Sequence, residues 1–247
     1  MLKNIVFLIC SERSGSNLIR ALLNNHPGIN SPAPFHIGRD FGRNLYAFGE
    51  DLYDDDNWQR LAKSIRSRLN SSLTKSETEK IYRHLLAQQE RNYASIIESI
   101  YASTPGLNTD DGETILFLKE NHIQKQAFFL LHHFPDAKFV FQVRDPRDYL
   151  ASLRSLRPGL FGNKYGSTRH ALEVWREDQL GGLNLKSHLG PKRVFLQRYE
   201  DLIENPELVL TELCHFLNID YDPIMLRYHE KDDIKKLAVR GGPRENL

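Results

Sequence analysis

A chain of 247 residues is long enough to bury a core of its own, and 40% hydrophobic against 26% charged residues, with only 15 glycines and 11 prolines, excludes disordered, collagen-like and low-complexity classes. The 33 Lys and Arg residues offset 32 Asp and Glu to a net charge of +1; no bulk basic field recruits nucleic acid or an anionic membrane, so phosphate chemistry has to rely on a few placed cations. Two cysteines, Cys10 and Cys214, lie far apart and outside any CxxC or Cys/His cluster, which argues against a disulfide framework or a structural zinc site and fits a reducing compartment.

The first apolar run, residues 5–10, stops at Ser11-Glu12-Arg13. It is too short for an export signal and reads as a strand covered on both faces. No other segment approaches the roughly 20 apolar residues that span a bilayer, so the expectation is a soluble, cytoplasmic protein with no transmembrane segment. Ser11 to Ser16 supplies hydroxyls and a glycine, and Leu18, Ile19, Leu22 and Leu23 then recur at helical spacing until Asn24-Asn25-His26-Pro27. Residues 31–56 read as irregular, with Asp54-Asp55-Asp56 as a solvated turn or helix cap.

Residues 58–69, 77–89 and 93–101 read as amphipathic helices, within a helical insertion or lid over 40–109 of a single domain, 1–247. A second apolar run covers 114–118, and a helix follows over 124–133. His132-His133 reads as a polar helix end whose two imidazoles point apart. A third strand, 138–143, leads into Arg144-Asp145-Pro146, where Pro146 suits the first turn of a helix. A helix over 168–185, a strand over 194–197 and a helix over 206–217 complete the pattern. Strands alternating with helices predict an α/β fold: three layers, a mostly parallel sheet and helices on its faces.

In such a sheet, ligands bind where strands end and helices begin, because the first helical N–H groups are unpaired and the dipole favours anions. Two junctions fit. In Arg13-Ser14-Gly15-Ser16-Asn17, Gly15 permits close backbone approach, and Ser14, Ser16 and Asn17 set short polar groups beside a permanent cation. The pattern G-x-x-x-x-G-K-[ST] is absent, which disfavours an ordinary ATP or GTP hydrolase. In the second junction, Arg144 ends a strand and Ser152 lies about two turns into the next helix. A phosphate fits between that guanidinium and hydroxyl if it rests against the helix flank. The other reading pairs Arg144 and Arg147 with Asp145 and Asp148 as surface ions.

Together these junctions resemble the sulfotransferase superfamily, whose donor is 3′-phosphoadenosine 5′-phosphosulfate, and the resemblance implies its P-loop-like fold. Arg13 to Asn17 looks like the family's 5′-phosphosulfate loop. Arg144 and Ser152 match its pair for the 3′-phosphate. Arg198-Tyr199-Glu200-Asp201-Leu202, with Asn205-Pro206, is similar to its third block. The resemblance implies in-line transfer of a sulfuryl group to an acceptor hydroxyl or amine, release of adenosine 3′,5′-bisphosphate, and no metal. Arg13 is implied at the bridging oxygen, where it can stabilise the leaving group but is a poor acid. Lys119 is implied near the sulfuryl oxygens, its other reading being a solvated lysine at a strand end.

For the general base the candidates are His36, after the rigid Pro32 to Pro34 segment, and His122, with Glu120 behind them; either imidazole could instead be a packing residue. Arg240-Gly241-Gly242 resembles the segment that closes over the 3′-phosphate, with Gly241 where that segment has lysine. Tyr199, ahead of Trp175, is the candidate to stack on adenine. The acceptor class stays open among small molecule, lipid, glycan and peptide, and no motif speaks to oligomeric state. The competing readings are a nucleotide kinase-like phosphotransferase and a non-catalytic nucleotide-binding domain.

Overall fold

Short apolar runs separated by helices bury best as a parallel sheet with helices on both faces. In the computed structural model, which describes residues 4–49, 51–103, 114–119, 126–155 and 160–230, the strands are β1 (Ile5–Cys10), β2 (Ile29–Asn30), β3 (Ile115–Lys119), β4 (Lys138–Val143) and β5 (Val194–Arg198). They form one sheet in the order β2-β3-β1-β4-β5, and each neighbouring pair is parallel. From β1 the chain crosses to the far edge for β2, fills the gap between them with β3, then passes to the other side of β1 to lay down β4 and β5. The carboxyl ends of β1 and β4 therefore flank a topological switch point, where loops diverge and leave a crevice.

The pleat of β1 sorts its side chains into two cores. Ile5, Phe7 and Ile9 enter a cluster with Phe139, Phe141 and the residues of three helices: α3 (Asp55–Leu69), α4 (Lys75–Ala87) and α5 (Tyr93–Ala102). Val6, Leu8 and Cys10 face the other way, onto α1 (Ser16–Leu23) and α11 (Pro206–Leu217). Phe7 and Phe139 stack with centroids 5.8 Å apart. Each helix in the 55–102 region is capped by its own sequence: Asp54 accepts from the Asn57 N–H at 2.9 Å, Thr74 and Glu77 form a capping box, and so do Asn92 and Ser95. The acidic run at 54–56 is thus a helix cap, and Trp58, Ile65, Tyr82 and Ile97 join the sheet's own core.

A third, smaller cluster of Tyr149, Leu153, Tyr165 and Ala171 ties α7 (Pro146–Arg154) to α8 (Leu160–Tyr165) and α9 (Thr168–Leu189). α9 approaches the sheet closely at Gly182, where a Cβ would stand 2.3 Å from the Phe141 ring. The remaining helices are α2 (Ile37–Phe41), α6 (Ala127–His133) and α10 (Tyr199–Glu204).

Two expectations change. Residues 31–56 hold α2 and a 3₁₀ stretch (Gly42–Phe48), because Phe41 and Leu45 enter the first core and that burial outweighs the local Gly and Pro content. The imidazoles of His132 and His133 do not point apart. They meet edge to face with centroids 4.9 Å apart, His133 being folded back onto Phe129 at 4.5 Å. Among the described residues no helix is long and apolar enough to cross a membrane, and no group of three or more His, Cys, Asp or Glu is placed to hold a metal ion.

Candidate active site

The loop leaving β1 turns sharply onto α1. Arg13 and Gly15 both take left-handed backbone conformations, with φ of 63° and 80°. That conformation costs glycine little and arginine more, so neighbouring groups have to hold it in place. Gly15 caps α1, whose first turn carries no acidic residue; its unpaired N–H groups and dipole make the loop a seat for an anion. Ser14 is fully buried, and its hydroxyl has no hydrogen-bond partner among the described residues. A buried polar oxygen left open beside a helix N-terminus suits a ligand oxyanion.

The second junction reaches across the switch point to grip this loop. Arg144, one residue beyond β4, donates from Nη1 to the Arg13 carbonyl at 2.8 Å. Ser152 of α7 accepts from Arg13 Nε at 3.1 Å. Gln142 of β4, fully buried, donates to the Ser14 carbonyl. Tyr199, which opens α10, lies so close that a Cβ on Gly15 would come within 2.1 Å of its ring, while the Arg144 guanidinium covers that ring at 4.5 Å. Trp175 of α9 donates its indole N–H to the Arg144 carbonyl at 3.2 Å. Thus Arg13 and Arg144, 131 positions apart in sequence, meet in one crevice.

The alternative pairing of arginines with aspartates is split between the two candidates. Arg147 pairs with Asp145 at 2.7 Å on the surface and holds that carboxyl well below its usual range, whereas Arg144 turns inward. Asp145 also caps α7 by accepting from the Arg147 N–H, and its own N–H donates to Glu200 of α10 at 2.8 Å.

Lys119 ends β3 beside Leu8 of β1. It is buried and donates to Asn17 Oδ1 at 2.5 Å. Burial lowers its pKa, with Arg20 and Arg13 adding to the effect and Cys10 and Glu12 opposing it. Beneath the loop, burial pushes the Cys10 thiol up to about 11. His36 takes a left-handed φ of 59° at the start of α2, between the buried Phe35 and Ile37. Ser31, at the head of the segment leading to it, is fixed by Arg20 Nη1 on its carbonyl at 2.6 Å and Asn24 Oδ1 on its N–H at 2.8 Å.

The structure therefore gathers Arg13, Ser14, Gly15, Arg144, Ser152 and Tyr199 into one cluster and joins Asn17 to Lys119. Ser16 opens α1, and His36 stands on a separate segment. His122, Glu120, Arg240 and Gly241 lie outside the described residues. Gln142 is an addition that motif reading missed, although an amide inside the otherwise apolar run Phe139 to Val143 was an available signal; Trp175, considered only for adenine stacking, uses its indole to hold the Arg144 carbonyl.

This arrangement has relatives. Protein-tyrosine sulfotransferase of Drosophila melanogaster is 23% identical over 226 residues, which is 92% of this chain and 40% of that protein. Protein-tyrosine sulfotransferase 1 of Danio rerio is 24% identical over 228 residues, 92% and 56% of the two chains. The chain spans about half the length of the curated relatives it matches. Among solved structures, the sulfotransferase domain of the Synechococcus PCC 7002 olefin synthase superposes with a TM-score of 0.68 at 26% identity, over 98% of this chain and 82% of that one. The sulfotransferase domain from the curacin biosynthetic pathway shares the fold with a TM-score of 0.67 at 24% identity, over 94% and 79%. The model of the Sulfotransferase family matches residues 5–223, a span that contains both arginine junctions and the Tyr199 block, and the chain belongs to that family.

Proposed function

We propose that this protein transfers a sulfuryl group from 3′-phosphoadenosine 5′-phosphosulfate to an acceptor hydroxyl by in-line displacement. The observation that carries this reading is the interlock of Arg13 with Arg144 and Ser152 across the switch point, which sets cations and a hydroxyl beside a helix N-terminus. In this assignment the loop from Arg13 to Asn17 and the first N–H groups of α1 receive the 5′-phosphosulfate, while Arg144 and Ser152 take the 3′-phosphate. The open Ser14 hydroxyl fits such a ligand.

During transfer the bond from sulfur to the bridging phosphate oxygen breaks and a bond from the acceptor oxygen to sulfur forms. The electron pair of the broken bond stays on the 5′-phosphate. Arg13 offsets the charge that grows on the bridging oxygen, and Lys119 offsets that on the sulfuryl oxygens. The acceptor proton passes to the general base, for which His36 is the candidate within the described residues, beside His122 and Glu120. Instead of stacking on adenine, as the sequence suggests, Tyr199 acts as a spacer: the Arg144 guanidinium covers its ring and its Cδ2–Cε2 edge abuts Gly15. Since the two curated relatives named above are protein-tyrosine sulfotransferases, a tyrosyl peptide is the first acceptor to test.

The test is a thermal shift comparing adenosine 3′,5′-bisphosphate with ATP and Mg²⁺. A ligand at 100 times its Kd adds about 2.7 kcal/mol, which raises the Tm of a chain this long by about 5–11 °C. The bisphosphate is expected to give that shift and ATP a smaller one; preference for ATP would overturn the reading. Incubation with the donor and a tyrosyl peptide should then add one SO₃ to the peptide mass.

A further inference from the structure

Glutamine is out of place inside a parallel sheet covered on both faces, yet two stand side by side in this one. Gln142 of β4 and Gln197 of β5 are register partners on adjacent strands, 0% and 4% exposed. Both belong to the sheet face of the second core, because Val140, two residues before Gln142, and Phe195, two before Gln197, pack there. Gln142 donates its amide N–H to the Ser14 carbonyl of the donor loop. Arg144 lies two positions beyond Gln142, and its guanidinium covers the ring of Tyr199, two positions beyond Gln197. These three residues hold four buried atoms with no hydrogen-bond partner among the described residues: Gln142 Oε1, Gln197 Nε2, Gln197 Oε1 and Arg144 Nε. Two are donors and two are acceptors. A buried polar atom left open keeps its whole desolvation cost, so a set with matched donors and acceptors is strongly driven to pair.

We propose, on the donor-site reading above, that Gln197 is a positioning residue for donor binding: its amide bridges Arg144 and Gln142, so that one chain of hydrogen bonds runs from the arginine of the 3′-phosphate to the loop of the 5′-phosphosulfate. Arg144 Nε–H donates to Gln197 Oε1, the Gln197 amide N–H donates to Gln142 Oε1, and Gln142 Nε2 keeps its bond to the Ser14 carbonyl. In-register neighbours on parallel strands stand about 4.8 Å apart, the spacing at which glutamine amides bond to one another in ladders. Arg144 is a diagonal neighbour of Gln197, within reach of a long side chain. The terminal torsion of glutamine is soft, so turning the amide into place costs little. All four open atoms are thereby used. The chain braces the Ser14 carbonyl between the left-handed residues Arg13 and Gly15 and keeps the loop in the form that receives an anion.

The experiment is calorimetric titration of the full chain with adenosine 3′,5′-bisphosphate, for wild type, Gln197→Met, Gln197→Leu, Gln142→Met and the double variant Gln142→Met/Gln197→Met, with a melting curve showing that each is folded at the titration temperature. Methionine keeps the length of glutamine and removes both polar atoms, and leucine repeats the test with another shape. Gln197→Met and Gln197→Leu are expected to weaken binding by about three- to tenfold, the worth of a hydrogen bond. The double variant should lose less than the product of the two single losses, because Gln197 acts on the loop through Gln142. A spectroscopic readout follows the bond itself: in the bisphosphate complex the Arg144 Nε–H resonance, identified by its absence in Arg144→Lys, should exchange with solvent at least about tenfold faster in Gln197→Met than in wild type. Affinity within about twofold of wild type in both Gln197 variants overturns the inference, because a merely structural glutamine behaves that way. So do losses that multiply in the double variant, or an Arg144 Nε–H whose exchange is unchanged. Absence of any wild-type binding would instead overturn the donor-site reading, and this inference with it.

Discussion

Replacing Gly15 by alanine perturbs the donor crevice at its tightest point. The new methyl would sit 2.1 and 2.2 Å from Tyr199 Cδ2 and Cε2 and 3.1 Å from Gln142 Nε2, on a residue whose φ is 80°. The left-handed conformation costs alanine about 1 kcal/mol, and forcing the tyrosine aside in a packed site costs about 1–3 kcal/mol. The sum, about 2–4 kcal/mol, corresponds to a fall in Tm of about 4–16 °C for a chain of this length. The displaced ring also carries the Arg144 guanidinium, so affinity for adenosine 3′,5′-bisphosphate should fall with stability. The assay is calorimetric unfolding and ligand titration of Gly15→Ala, Tyr199→Ala and the double variant. If the clash is the cause, the double variant is more stable than the sum of the singles predicts, by at least about 1 kcal/mol. Strict additivity, or a Gly15→Ala protein that melts and binds like wild type, would refute the reasoning.

Arg144→Ala should weaken adenosine 3′,5′-bisphosphate by about 10–100-fold, the worth of a hydrogen bond to a charged group, and 5′-AMP, which senses only the lost bond to the Arg13 carbonyl, by a clearly smaller factor; equal losses in a titration of both nucleotides would refute its assignment to the 3′-phosphate. His133 gives a pH signature. Burial, with His132 adding, holds its imidazole down to about 4 from 6.5. Between those values the folded state binds fewer protons than the unfolded one, so stability falls as pH drops from 6.5 toward 4. His133→Phe keeps the aromatic contacts and should lose about 1 kcal/mol less than wild type between pH 7 and 5 in urea unfolding, a figure discounted for partial exposure.

The four longer strands and the two arginine junctions were legible because they rest on local rules. A run such as Ile5 to Cys10 reads as a strand buried on both faces, and Asp145-Pro146 announces a helix start with its own cap. Elements that owe their existence to distant partners were not. β2 is two residues long and is defined by pairing with Ile115 and Leu116, and α2 forms where Phe41 finds the first core. In the site, motif spacing located Arg13, Arg144 and Ser152, but the direction of each bond depends on the sheet register that sets β4 beside β1. The placement of Gln142 under Ser14 follows from that register, 128 positions apart in sequence, which no local pattern encodes.

The hydrogen bonds that grip the donor loop come from β3, β4 and α7, with α9 and α10 bracing Arg144 and Gly15. The three helices between Asp55 and Ala102 join the sheet through the apolar side chains of the first core. Substitutions on the outward faces of those helices would leave the bonds around Arg13 to Asn17 untouched. A lineage can therefore vary that side of the molecule by gradual drift without disturbing the turn between β1 and α1.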